Sequence, residues 1–279
     1  MFRTLIAAAA LTLGLALSGQ AVAQVGADLN ISPKRVVFGP GERTATVYVF
    51  NQGDEPATYT VELVDRVMLP DGQIAAAADH PEQPIASALE LVQHTPRRIT
   101  LAPRQSQAIR VRARPGAGEA AERRTHLTVT ALPPEDAGFT AEQAAVETGD
   151  DVALRVVALF SVSIPVIVRD GVADARAAIE NPVFRPASEV GGQGGVALDL
   201  VRLGANSVYG DVEIRAGQGR DGRVVGLVRG VAVYPEVERR TVVAPLAEAV
   251  APGEPLTLIY RDDDARPGET LATVTLLAP

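Results

Sequence analysis

The chain has 279 residues and a formal net charge of −8, from 26 Lys plus Arg against 34 Asp plus Glu. That balance speaks against nucleic acid as a partner, because an acidic surface repels phosphate. Cysteine and tryptophan are absent and aromatic residues make up 4%. Disulfides are therefore excluded, and a carbohydrate site built on stacked rings is disfavoured.

In chain order, residues 1–23 read as an export signal. Arg3 gives the positive end, Leu5 to Leu17 an apolar run short of a comfortable membrane span, and Ala21-Val22-Ala23 a small-residue cleavage site. The mature chain is expected to start at Gln24 with no integral membrane segment. What remains can bury one large core or two ordinary ones.

Short alternating segments separated by Gly, Pro, Asn and Asp clusters then predict an all-β protein. The first expected strands are 29–31, 36–38, 44–50 and 58–64, with Asn51-Gln52-Gly53-Asp54 as turn chemistry. Residues 70–96, rich in Ala, Gln and Pro, read as a long connection. Strands are expected again at 98–101, 107–113 and 126–132. Around the second of these, Arg110, Arg112 and Arg114 alternate with Val111 and Ala113, the pattern of an exposed strand face.

Residues 135–150 read as a loop or a short helical turn leading into VALRVVALFSVSIPVIVR (152–169). Here the even positions Val152, Leu154, Val156, Ala158, Phe160, Val162 and Ile164 make one apolar row, and Val157 and Leu159 stand on the other face. Such a strand is either covered on both sides or offered to another chain. Gly171 follows, and strands from near Ala178 onward (195–203, 209–215, 224–234, 239–243, 255–260 and 270–277) predict a second sandwich. The expected organisation is a first domain at 24–170 and a second at 171–279.

Catalytic chemistry finds little support. The three histidines are His80, His94 and His126, each read as a surface or satisfied residue, and no G-x-S-x-G elbow occurs. Asp262-Asp263-Asp264 lacks the spacing of a calcium loop and reads as a solvated turn or the partner of an arginine. No cofactor, metal or catalytic residue is expected.

Four segments in order resemble the periplasmic pilus-assembly chaperones, the PapD-like family: ISPKRVVF with TATVYVFNQGDEP, PRRITLAPRQSQAIRVRARP, ERRTHLTVTALP and SVSIPVIVR. IENPVF, SVYGDVEI and LIYRDDDARPGE resemble the family's second domain more loosely. The resemblance implies a boomerang of two immunoglobulin-like sandwiches, without enzymatic activity. Such a protein captures exported pilus or fimbrial-type subunits in the periplasm by donating a strand, and an outer-membrane usher is a further partner the family uses.

By position the donated residues are Leu154, Val156, Ala158 and Phe160, and Arg35 matches the arginine that anchors the subunit carboxylate. The family's anchoring lysine falls on Pro165, and the sole lysine, Lys34, points to the other face from Arg35. Arg169, with Asp262 or Asp263, matches the interdomain ion pairing, while the family's acidic residue before the hairpin falls on Arg124. The competing expectation is an exported structural or adhesive two-sandwich protein, in which 152–164 is an ordinary core strand.

Overall fold

A computed structural model describes residues 28–116, 121–133, 159–217 and 222–279. The first eleven strands are β1 (Leu29–Ser32), β2 (Val36–Phe38), β3 (Thr44–Asn51), β4 (Ala57–Val64), β5 (Arg66–Met68), β6 (Ile74–Ala76), β7 (Val92–Thr95), β8 (Arg98–Leu101), β9 (Ser106–Ala113), β10 (Glu122–Ala131) and β11 (Ser161–Arg169). They form two facing sheets, β1-β3-β9-β7 and β2-β11-β10-β4-β8, with β5 and β6 as a separate hairpin. This is an immunoglobulin-like sandwich, and the chain changes sheet between β1 and β2.

Alternation explains the core. Val47 and Val49 on β3 and Ile109 and Val111 on β9 face Tyr59, Val61, Leu127, Val129, Ile164 and Val166 of the opposite sheet, all buried. Between them Arg110 and Arg112 stand exposed, as a half-buried strand requires.

The second sandwich follows with β12 (Ala177–Arg185), the single turn α1 (Ala187–Val190), β13 (Gly195–Arg202), β14 (Val208–Ala216), β15 (Arg223–Val233), β16 (Arg239–Pro245), β17 (Pro255–Asp262) and β18 (Thr270–Leu277). Its sheets are β12-β13-β16 and β15-β14-β17-β18. Gly210 is needed where β14 meets β17, since a Cβ there would lie 1.8 Å from the Arg261 carbonyl oxygen. Among the described residues no helix is long and apolar enough to cross a membrane.

Two departures from the sequence reading matter for the site. The stretch expected to be a loose connection contains β6 and β7, and the β5–β6 hairpin turns through Pro70-Asp71-Gly72, with Gly72 at φ +86°. β10 begins at Glu122 rather than His126, because its first residues are polar but buried. The hairpin also reaches the second sandwich: Met68 and Ile167 are buried in the second sandwich's core cluster, and Val37 packs against it.

Candidate partner-binding site

β11 pairs antiparallel with β10 along its whole length, from Glu122↔Arg169 to Thr130↔Ser161. On its other side β2 joins it in parallel only over Val36↔Val166, Val37↔Ile167 and Phe38↔Val168. Residues 161–165 therefore have a strand partner on one side alone among the described residues. The hydroxyl pairs Thr128–Ser163 (2.7 Å) and Thr130–Ser161 (2.8 Å) fix the odd row on the outer face. The even row turns inward, with Val162 half-buried and Ile164, Val166 and Val168 in the core. Pro165, which has no N–H, sits opposite His126 where the one-sided stretch ends.

The same register sets Arg35, the residue before β2, next to the end of that unpaired edge. Arg35 is not exposed, contrary to what an open cleft anchor requires: its side chain is 13% accessible. Its Nη2 donates to Asp264 Oδ2 at 3.0 Å, and its guanidinium carbon lies 4.0 Å from the Tyr209 ring centroid. Its Nε and Nη1 are buried without a hydrogen-bond partner among the described residues.

Asp264 also accepts from Arg169 Nη2 at 2.6 Å on that same oxygen. Arg169 Nε donates to Glu122 Oε2 at 2.9 Å, and the Ser207 hydroxyl donates to the same Glu122 oxygen at 2.9 Å. Burial pulls the Arg169 guanidinium down, yet Glu122 and Asp264 outweigh it and hold it above its ordinary value. The cluster thus ties β10 and β11 of the first sandwich to the loop before β14 and the turn after β17 of the second.

This corrects the expected pairing of Arg169 with Asp262 or Asp263. Asp262 is used locally: its carboxylate accepts from the backbone N–H of Asp264 (3.1 Å) and of Arg266 (2.5 Å), closing the turn. The Asp263 backbone N–H donates to the Tyr209 carbonyl, and among the described residues no ion pair involves the Asp263 side chain. Asp264 is the residue this turn delivers to Arg169. The acidic residue expected at position 124 is supplied instead by Glu122, two places earlier on the same face of β10.

Arg124 makes a second tie, which sequence reasoning missed. It is 2% exposed, pairs with Glu236 of the second sandwich, donates to the Arg66 carbonyl at 3.0 Å and stacks 3.6 Å from the Tyr234 ring centroid. Glu236 Oε1 also accepts from the Met68 backbone N–H at 2.7 Å. The signal was present as a charged residue inside a strand pattern, beside an acidic residue in a Tyr-Pro-Glu turn.

Of the expected donor residues, Leu154, Val156 and Ala158 lie outside the described residues. Phe160 is half-buried, and its carbonyl accepts from the Ala131 N–H at 2.9 Å, extending the β10–β11 pairing by one step. Leu159 is 56% exposed. The histidines differ from expectation at one position: His126 is 2% exposed, with Nδ1 unpartnered among the described residues, and burial, then Arg124 and Arg66, push it down to about 3. Among the described residues no group of three or more His, Cys, Asp or Glu is placed to hold a metal ion.

No family model matches the chain, and no curated protein does. Solved structures that align with it include pilus chaperones. The E. coli chaperone DraB is 18% identical, with a TM-score of 0.42 over 90% of this chain and 98% of that one. The chaperone–tip subunit pre-assembly complex CsuC–CsuE from Csu pili of Acinetobacter baumannii gives 11% identity and a TM-score of 0.46 over 88% and 97%. The Salmonella enterica SafA pilin in complex with the SafB chaperone gives 14% and 0.42 over 90% and 96%.

Proposed function

We propose that this chain is an exported chaperone that captures incomplete pilus- or fimbrial-type subunits by lending them the strand that leads into β11. The observation that carries this reading is the one-sided edge at 161–165, ending beside Arg35. A subunit strand pairing there and finishing in a carboxylate at Arg35 would run parallel to β11, continuing the line of β2. The row Leu154, Val156, Ala158 and Phe160 would enter the subunit's open groove. Each large apolar side chain fully buried contributes about 1.5–3 kcal/mol before ordering costs.

On this reading no catalytic step is assigned, the chain acts in the periplasm after loss of residues 1–23, and an usher receives the loaded complex. The division is read at 24–170 and 171–279, a reading supported by the two core clusters, although Met68 and Ile167 reach across into the second. The competing reading, a structural two-sandwich protein, draws on Ile164, Val166 and Val168, which are ordinary core residues.

Substitution of the donor row separates the two. Val156→Asp should leave the free protein folded by circular dichroism and abolish co-purification of small exported subunits, because the buried-charge penalty falls on the complex. Subunit binding should also slow amide exchange along 154–160. Unfolding of the free variant, or unchanged exchange on binding, would exclude strand donation by this segment.

A further inference from the structure

The geometry points to Asp264 as an internal stand-in for the partner's carboxylate, holding Arg35 closed until a partner takes it over. This inference rests on the reading of Arg35 as the carboxylate anchor and adds how that anchor is kept and released.

Three observations converge on it. First, Arg35 and Arg169 share a single acceptor, Asp264 Oδ2, at 3.0 and 2.6 Å. Second, the closed position leaves Arg35 incompletely satisfied. Two of its three nitrogens are buried without an acceptor among the described residues, a costly arrangement for a guanidinium. Third, the two arginines are held very differently. Arg169 is gripped by Glu122 as well as by Asp264, and Glu122 is itself fixed by Ser207. Arg35 has, among the described residues, one ion-pair contact and the Tyr209 ring.

Charge keeps the cluster closed. Arg35 and Arg169 balance Glu122 and Asp264, so the closed cluster is neutral. A partner carboxylate entering the closed cluster would leave an uncompensated negative charge in a buried place. Arg35 swinging out to meet that carboxylate gives a neutral pair outside but leaves Arg169 alone against Glu122 and Asp264, a net negative charge, so Arg35 stays closed unless the partner's carboxylate offsets that cost. Distance and support decide which arginine moves: Asp264 stays with Arg169, its shorter and better-supported partner, and Arg35 is the moving part. Its apparent affinity for a carboxylate is accordingly the intrinsic affinity multiplied by the fraction of time it spends open.

Replacing Asp264 by Asn keeps a hydrogen-bond acceptor for Arg169 but removes the charge, so Arg35 faces Arg169 across a cluster of net positive charge and should leave. The readout is the side-chain Nε–H of Arg35 in the mature, full-length protein carrying nitrogen-15-labelled arginine, assigned by its disappearance in Arg35→Lys. In the wild type this proton should exchange slowly with solvent. In Asp264→Asn it should exchange at least tenfold faster, while Arg169 Nε–H, held by Glu122, stays protected. Tyr209→Leu, which removes the ring under Arg35 and leaves both ion pairs, should move Arg35 in the same direction if Asp264→Asn does not fold. Equal protection of Arg35 in the wild type and in the folded variants would overturn the latch, as would equal loss at Arg35 and Arg169.

Acetate, with acetamide as its uncharged counterpart, then tests the underlying reading separately. Acetate should shift the Arg35 resonance in Asp264→Asn at concentrations that leave the wild type unchanged, and acetamide should shift neither. A released Arg35 that ignores acetate would overturn the anchor reading while leaving the latch in place.

Discussion

His126 shows how a single side chain can record the cost of the architecture around it. It sits on β10 between Val64 of β4 and Pro165 of β11, with Nδ1 unpartnered among the described residues and the guanidinium groups of Arg124 and Arg66 nearby. Burial, reinforced by those two charges, holds it neutral down to about pH 3, whereas the unfolded chain protonates it near pH 6.5. Between those values the unfolded state binds the extra proton, so stability falls as pH falls. The slope is up to about 1.4 kcal/mol per pH unit, and the contribution is constant above pH 6.5. Urea unfolding at pH 7 and pH 5 should show the wild type losing about 2 kcal/mol more than His126→Phe over that interval. Equal losses in the two proteins would mean that this histidine ionises in the folded state.

At the scale of the element, β11 is one apolar row with two environments. From Ile164 onward the even residues are buried by the first sandwich's own core, whereas Phe160 is only half-buried, at the end of the β10 pairing. Ile164→Asp should therefore unfold the free protein, at a cost of several kcal/mol, while Phe160→Asp should melt within a few degrees of the wild type. Thermal melts of the two variants decide this, and equal collapse would make the whole row an ordinary core strand. The row was legible because side chains alternate with period two, and so were β3, β4 and β9 with their Val and Ile partners. What hid from the sequence was polar and buried. Glu122, Arg124 and Thr125 lengthen β10 without a hydrophobic signal: Arg124 pairs with Glu236 of the second sandwich, Glu122 pairs with Arg169 of β11 and accepts from Ser207 of the second sandwich, and the Thr125 hydroxyl is buried without a partner among the described residues. Asp264 could not be told from its two neighbours, because which carboxylate caps the turn and which leaves it is set by backbone geometry.

At the scale of the molecule, the Arg35–Asp264–Arg169 cluster and the Arg124–Glu236 pair both join the sandwiches, and their construction differs. The Arg35–Asp264 side carries an incompletely satisfied arginine. In the second tie Arg124 and Glu236 are 2% and 3% exposed, Tyr234 covers the guanidinium, and the β5–β6 hairpin adds Met68 to the second core. Gly72 of that hairpin lies so close to Arg240 of β16 that a Cβ would meet the guanidinium at 2.0 Å. If Arg35 opens as proposed, the Arg124–Glu236 pair has to stay shut, or the two sandwiches would lose their relation. Glu236→Ala leaves Arg124 buried without its counter-ion, which costs about 3–5 kcal/mol. Arg124→Met with Glu236→Met removes both charges and should recover most of that loss, because paired apolar groups replace a buried ion pair well. If Arg124–Glu236 is the fixed tie, denaturant unfolding of Glu236→Ala should separate into two transitions, one for each sandwich, where the wild type and the double variant show one. A single, unshifted transition in Glu236→Ala would place the tie elsewhere in the interface.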